Sequence, residues 1–265
     1  MTAALRPLLA TSGHFVEIVW QLSRTEMKTR YFQRSLSYLW WVIEPLLLAS
    51  TFFFLTLVLA GGRRPGAPDY AEMFMGIVMW NWFRASANAG MVSLIGGAGI
   101  MKQIRFPPLL LFFSRVLTEA LNFLISLGLT IVVLLPFGQP IFLTWLQVPV
   151  GLMVQFLLAV AVGVWLSFIG VFLRDTVSFV NCVLNLVMYV SPIVYREELV
   201  PSRYRRFLEL NPFTALMRVY RNTLIDGRAI DNWGALMAWT IVELAVFLAG
   251  VWLLRRVKRK LYRFL

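Results

Sequence analysis

Six stretches of this chain stay apolar for about the length that a helix needs to cross a bilayer, roughly 20 residues. They are residues 38–60, 70–95, 108–135, 141–173, 177–195 and 233–254. Lipid offers no partner to a backbone N–H or C=O, so a single run of this kind satisfies its own groups only as a helix. Composition supports the same reading. The chain is 59% hydrophobic and 14% charged, against roughly 45–50% and about 25% in soluble domains. One water-soluble core cannot absorb that excess. The sequence therefore predicts an all-α membrane protein with six transmembrane helices. The third and fourth runs exceed one span, which points to tilt or an interfacial end. The second run carries Glu72 and Arg84 and is the weakest of the six.

The connections differ in character. Residues 61–69 (GGRRPGAPD) and 136–140 (PFGQP) are rich in turn formers. Residues 96–107 (GGAGIMKQIRFP) are short, basic and closed by proline. Residues 174–175 (RD) form a charged break, and 196–232 is the longest polar segment. Residues 1–265 read as one membrane domain: an N-terminal segment 1–37, a six-helix region 38–254 and a basic tail 255–265. Six spans put both termini on one side. All four lysines, Lys28, Lys102, Lys258 and Lys260, fall on that side, which the positive-inside rule makes cytoplasmic. Arg63, Arg64 and the arginines of 196–232 oppose the rule, the latter partly offset by Glu197, Glu198, Glu209, Asp226 and Asp231.

Before the first run, Phe15, Ile18, Val19, Leu22 and Met27 share a helical face, with Glu17, Arg24, Lys28 and Arg34 elsewhere. That pattern predicts an amphipathic helix lying in the membrane interface. Residues 1–13 lack an apolar stretch followed by a small-residue cleavage site, so insertion is expected to begin with the first run.

The net charge of +12 fits helix ends facing anionic lipid. No aromatic platform is interleaved with basic residues as nucleic-acid binding requires, so no nucleic-acid partner is expected. One cysteine, Cys182, excludes an intrachain disulfide, and with one histidine, His14, it argues against a Cys/His metal site. There is no G-x-x-x-x-G-K-[ST], H-E-x-x-H or G-x-S-x-G. The chain thus has no phosphate-cradling loop and no expected catalytic residue or bound cofactor. Glu44, Glu72, Glu119 and Glu243 are the carboxylates within the runs. Glu119 follows Arg115 by four residues, a spacing that permits a local ion pair. Glu243 is the best candidate for a proton site. Energy for active transport would have to come from another subunit.

Several blocks, in order over nearly the whole chain, resemble the ABC-2 type permeases of polysaccharide export. Residues 26–45 (EMKTRYFQRSLSYLWWVIEP) are similar to that family's opening block, K-x-R-Y-x-x-S-x-L-G-x-x-W followed by proline. Gly76 to Phe83 resembles G-x-x-x-W-x-F, and residues 100–107 (IMKQIRFP) resemble L-I-x-K-x-x-F-P. Residues 172–175 (FLRD), 191–195 (SPIVY), Pro201 and 211–214 (NPFT) with Arg221 complete the set. Ser37 stands where the family often has glycine, and Leu173 adds a residue before Arg174.

The resemblance implies a homodimer with two copies of a separate ATP-binding cassette ATPase, which would hold ATP and Mg. It implies a bacterial inner-membrane location and a glycan cargo on an undecaprenyl-type pyrophosphate, with O-antigen the nearest class. Lys102, Gln103 and Arg105, with Arg174 and Asp175, are the expected ATPase-coupling residues. Arg24, Lys28, Arg30 and Arg34 cluster where an anionic lipid head would approach, since arginine matches phosphate with planar donors. Tyr38, Trp40, Trp41, Trp80, Trp82 and Phe83 are candidates for a glycan path, alongside the ordinary role of such residues as an interfacial belt. Ser191, Pro192, Tyr195, Asn211, Pro212 and Arg221 mark breaks in the last outer loop. Residues 200–210 and 212–225 are expected there as short re-entrant helices that gate the exit. Two alternatives stay open: an exporter of the same class for capsule, teichoic acid, a drug or a lipid, and a proton-coupled secondary transporter built around Glu243.

Overall fold

The computed structural model describes residues 12–32, 37–59, 67–104, 106–134, 142–172 and 176–264. Among them there are helices and turns and no strand. The helices are α1 (Ser12–Phe32), α2 (Ser37–Leu59), α3 (Ala67–Gly96), α4 (Ala98–Ile104), α5 (Pro108–Leu134), α6 (Val148–Phe172), α7 (Thr176–Val190), α8 (Ser202–Glu209), α9 (Pro212–Tyr220) and α10 (Trp233–Phe264). Three segments are long and apolar enough to cross a membrane: Pro108–Val132, Leu143–Phe172 and Trp233–Val257. Ile43–Val58 and Val177–Val190 are shorter apolar helices. α3 is long enough but carries Asp69, Glu72 and Arg84.

α3 is the central helix. Every residue from 71 to 80 on it is buried, and it packs against α2, α5, α6 and α7. Small residues allow its close approach to α6. A Cβ added at Gly90 would lie 2.9 Å from the Cα of Gly163, so the two backbones touch there. Lipid tails are as apolar as the helix surfaces, so close van der Waals packing of this kind drives association within a bilayer. A second apolar cluster, including Leu94, Met101, Leu111, Phe112, Val164 and Leu254, joins α4 to α3, α5, α6 and α10.

α1 presents its amphipathic face to α5. The Phe15 and Phe113 rings meet edge to face at 5.9 Å. Ser23 Oγ donates to the Ser114 carbonyl at 2.8 Å, and Arg115 pairs with Glu26 at 3.4 Å. Val16 and Trp20 stay exposed along the same helix, and Arg24 and Lys28 are exposed as well.

Three boundaries depart from the sequence expectation. The fourth run does not begin as an α-helix: Leu143–Gln147 is a 3-10 turn, and α6 starts at Val148 with Pro149 in its first turn, where a missing N–H costs nothing. The fifth run ends at Val190, because Pro192 disfavours helix at Ser191. Residues 191–195 form turns instead. The basic tail is not separate, since α10 continues through it to Phe264. Lysine and arginine are good helix formers and suit a helix C-terminus. There Arg256 also stacks on Trp252 at 4.2 Å.

Candidate functional site

Two arrangements of polar side chains stand out, one in a cleft and one at the end of the bundle that holds α8 and α9. The cleft, of about 440 Å³, lies between α2, α3, α5 and α7. Apolar helices supply it with an unusual set of polar groups: Glu44, Asn81, Arg84, Asn88, Glu119, Asn122, Ser126 and Asn181. Arg84 pairs with Glu44 at 3.4 Å, and the Glu44 side chain is 64% exposed. Asn88 Nδ2 donates to Asn181 Oδ1 at 2.9 Å, tying α3 to α7. Asn122 Nδ2 lies 3.4 Å from Glu119 Oε2. Trp82 stacks on Phe123 in the wall, 4.1 Å between centroids and 10° from parallel. The indole N–H of Trp82 and the Asn88 carbonyl are buried without a partner among the described residues. Unpaired buried groups of this kind are costly and call for an explanation.

At the end of the bundle, Asn211 caps α9: its Oδ1 accepts from Phe213 N at 3.0 Å, with Pro212 at the first helical position. Asparagine and proline are favoured at these two positions. Asn211 Nδ2 donates to Ser191 Oγ at 2.7 Å, joining the two breaks of the loop. The Tyr195 hydroxyl donates back to the Val190 carbonyl at 2.7 Å. α9 runs into a π-helical turn, Arg221–Ile225. Such turns are rare and often mark functional sites. From it Arg221 Nη2 donates to the carbonyls of Pro192 at 2.6 Å and Tyr195 at 2.7 Å. Its Nε lies 2.5 Å from Glu72 Oε1 as a charge contact, without an aligned N–H bond. Arg196 Nε donates to the other Glu72 oxygen at 2.7 Å. Asp226 is 3.7 Å from Arg196. Burial works most strongly against the Arg196 charge, but Glu72, Asp226 and Glu198 together outweigh it and its pKa is raised. Arg218 forms two hydrogen bonds with Glu197, which raise its pKa against the opposing effect of burial.

The structure thus brings Ser191, Pro192, Tyr195, Asn211, Pro212 and Arg221 into one network. It disperses the aromatic candidates. Trp80 and Phe83 are buried around Phe213, each with its ring 4.8 Å from that phenylalanine, so they anchor α9 rather than line an open wall. Trp82 lines the cleft, and Trp40 is exposed on α2. Tyr38 and Trp41 lie on α2, but their side chains fall outside the described set. So do the side chains of Lys102 and Gln103 on α4 and of Arg30 on α1. Arg34, Arg105, Arg174 and Asp175 lie outside the described residues altogether. The sequence reading missed the cleft amides and the role of Glu72 as partner to two arginines. Its one available signal was polar residues at helical spacing inside apolar runs: Asn81, Arg84 and Asn88 on α3, and Glu119, Asn122 and Ser126 on α5.

Comparison with known proteins fits this arrangement. Two O-antigen export system permease proteins RfbA from Klebsiella pneumoniae are 27% and 26% identical to this chain over 254 and 242 residues. The first alignment covers 95% of each chain, the second 89% of this one and 92% of the relative. An O-antigen export system permease protein RfbA from Myxococcus xanthus is 29% identical over 254 residues, 94% of both chains. Residues 17–225 match the ABC-2 type transporter family, from the amphipathic helix through the cleft helices to the π-turn that carries Arg221. The chain belongs to that family.

Proposed function

We propose that this chain is the membrane permease of an ATP-binding cassette exporter that moves a lipid-linked polysaccharide, of the O-antigen class, across the bacterial inner membrane. The observation that carries the reading is the polar cleft. An exposed Glu44 paired with Arg84, and amides from three helices, cannot face lipid at low cost. They belong on a water-filled path. Hydroxyl-rich sugars pair with amides and carboxylates, and the Trp82–Phe123 stack offers an apolar surface for ring C–H faces. The relatives' names supply the cargo class.

In this reading the whole chain is one transmembrane domain with six spans. α2, α3, α5, α6, α7 and α10 cross the membrane, α1 lies in the interface, and α8 and α9 re-enter from the outer side. Both termini are cytoplasmic. Two copies pair so that the cleft sides face each other. Two ATPase subunits, which bind ATP and Mg, dock at α4 and at residues 174–175. Arg24, Lys28, Arg30 and Arg34 receive the pyrophosphate of an undecaprenyl-type carrier.

The test is to copurify the chain with the ATPase encoded beside it and reconstitute both in lipid. Hydrolysis should rise, and labelled glycan should cross, when a lipid-linked glycan is added. Ala85→Trp, which narrows the cleft, should lower export while hydrolysis persists. If no ATPase associates with the folded chain, the exporter reading loses its energy source, and proton coupling through Glu243 replaces it.

A further inference from the structure

We infer that Glu72 is a positioning residue that sets the outer end of α7, and through it one wall of the polar cleft. This rests on the cleft being the path. α7 packs on α6 and sets Tyr189 edge to face against Phe52 of α2 at 6.2 Å, and it is tied to α3 at two places. In the cleft, Asn181 accepts from Asn88 of α3. At its C-terminal end the chain turns at Ser191 and passes beneath α3. A Cβ at Gly76 would lie 2.6 Å from the Ile193 carbonyl oxygen, so helix and turn touch backbone to backbone. Ile193 has no exposed surface.

The turn has no regular ladder of its own, so its carbonyls need partners. Arg221 supplies them at Pro192 and Tyr195. Arg221 is itself only 9% exposed, and the charge contact it makes is with Glu72. The second Glu72 oxygen holds Arg196, directly after the turn. One carboxylate on α3 therefore fixes both the residue that clamps the turn and the residue that ends it. Glu72 is 6% exposed, and removing one member of a buried ionic set leaves the others uncompensated. Neutralising it loosens the clamp on the turn, and α7 then relies on the Asn211–Ser191 bond, its cleft contact with α3 and its packing on α6 and α2.

The chain carries its own reporter. Cys182 is the sole cysteine and is exposed on α7. A nitroxide attached there, in the full chain reconstituted with its ATPase, reads the mobility of α7 without reference to cargo. Glu72→Gln should at least double the mobile fraction of its spectrum, while copurification with the ATPase continues. Glu72→Asp should restore most of the ordered signal. In the same vesicles Glu72→Gln should lower glycan export per ATP by about tenfold. Arg196→Gln leaves the Glu72–Arg221 contact in place and should give a smaller change in the same direction. It also keeps the test open if Glu72→Gln fails to accumulate. An unchanged nitroxide spectrum in either folded variant overturns the inference. If wild-type vesicles export no glycan but the spectrum responds to Glu72, the cargo reading fails and the positioning role stands.

Discussion

Gln155 shows how a single polar side chain orders this bundle. It sits on an apolar helix with no exposed surface. Its Nε2 donates to the Met79 carbonyl at 2.8 Å, and its Oε1 accepts from the Tyr220 hydroxyl at 2.8 Å. One amide thus joins α6 to α3 and to α9, whose N-terminus holds the Asn211–Ser191 contact. Tyr220→Phe removes one bond and leaves the Gln155 oxygen unpaired, at a cost of about 1 kcal/mol. Gln155→Leu leaves a buried tyrosine hydroxyl unpaired and should cost about 1–3 kcal/mol. The double variant should cost less than the two together, because no orphaned partner remains. Unfolding in detergent checks all three, and additive losses would show that the bond does not couple α6 to α9. None of this was legible in the sequence. Gln155 is visible there as one polar residue in an apolar run, but its partners lie 76 and 65 positions away. The breaks were legible because Ser-Pro and Asn-Pro act on their own neighbours.

At the scale of elements, the same division holds between local and distant causes. The ends of α8 and α9 follow from Pro201, Asn211 and Pro212, and the sequence places both helices within a few residues. The crossing of α3 and α6 depends on Gly90 meeting Gly163, and nothing near either glycine announces the other. Gly90→Leu has no space without pushing α6 away. Overpacking of this kind costs about 1–3 kcal/mol, and here it also moves the α3 wall that carries Asn81, Arg84 and Asn88. Gly99→Leu on α4 is the control, since a Cβ there meets nothing within 4 Å. Thermal unfolding of the two variants in lipid should separate them, and equal stability would mean that the α3–α6 contact is not close-packed in the membrane.

For the whole molecule, α3 is the element that links the two ends. Glu72 lies near its start, the cleft residues Asn81 to Asn88 lie midway, and Gly97 connects it to α4. α4 is held in place: Met101 has no exposed surface and joins Leu94, Leu111, Phe112 and Leu254 in one cluster. A Cβ at Gly97 would lie 2.4 Å from Leu111 Cδ1, so the joint between α3 and α4 is also tightly packed. Displacement of α4 by a docked ATPase would therefore pass to α3 rather than be lost in a loose joint. This separates two kinds of change at α4. Replacing both Lys102 and Arg105 by alanine removes charge from the proposed docking surface, and lysine and arginine are seldom core residues. Met101→Ala removes the anchor and should cost about 2–5 kcal/mol. The charge variant should unfold like the wild type but lose about tenfold in export per ATP. The anchor variant should lose stability and coupling together. Measuring unfolding, ATP hydrolysis and glycan export on both variants checks this. A charge variant that still exports at the wild-type rate would move the docking surface away from α4, and residues 174–175 would then be the contact to substitute next.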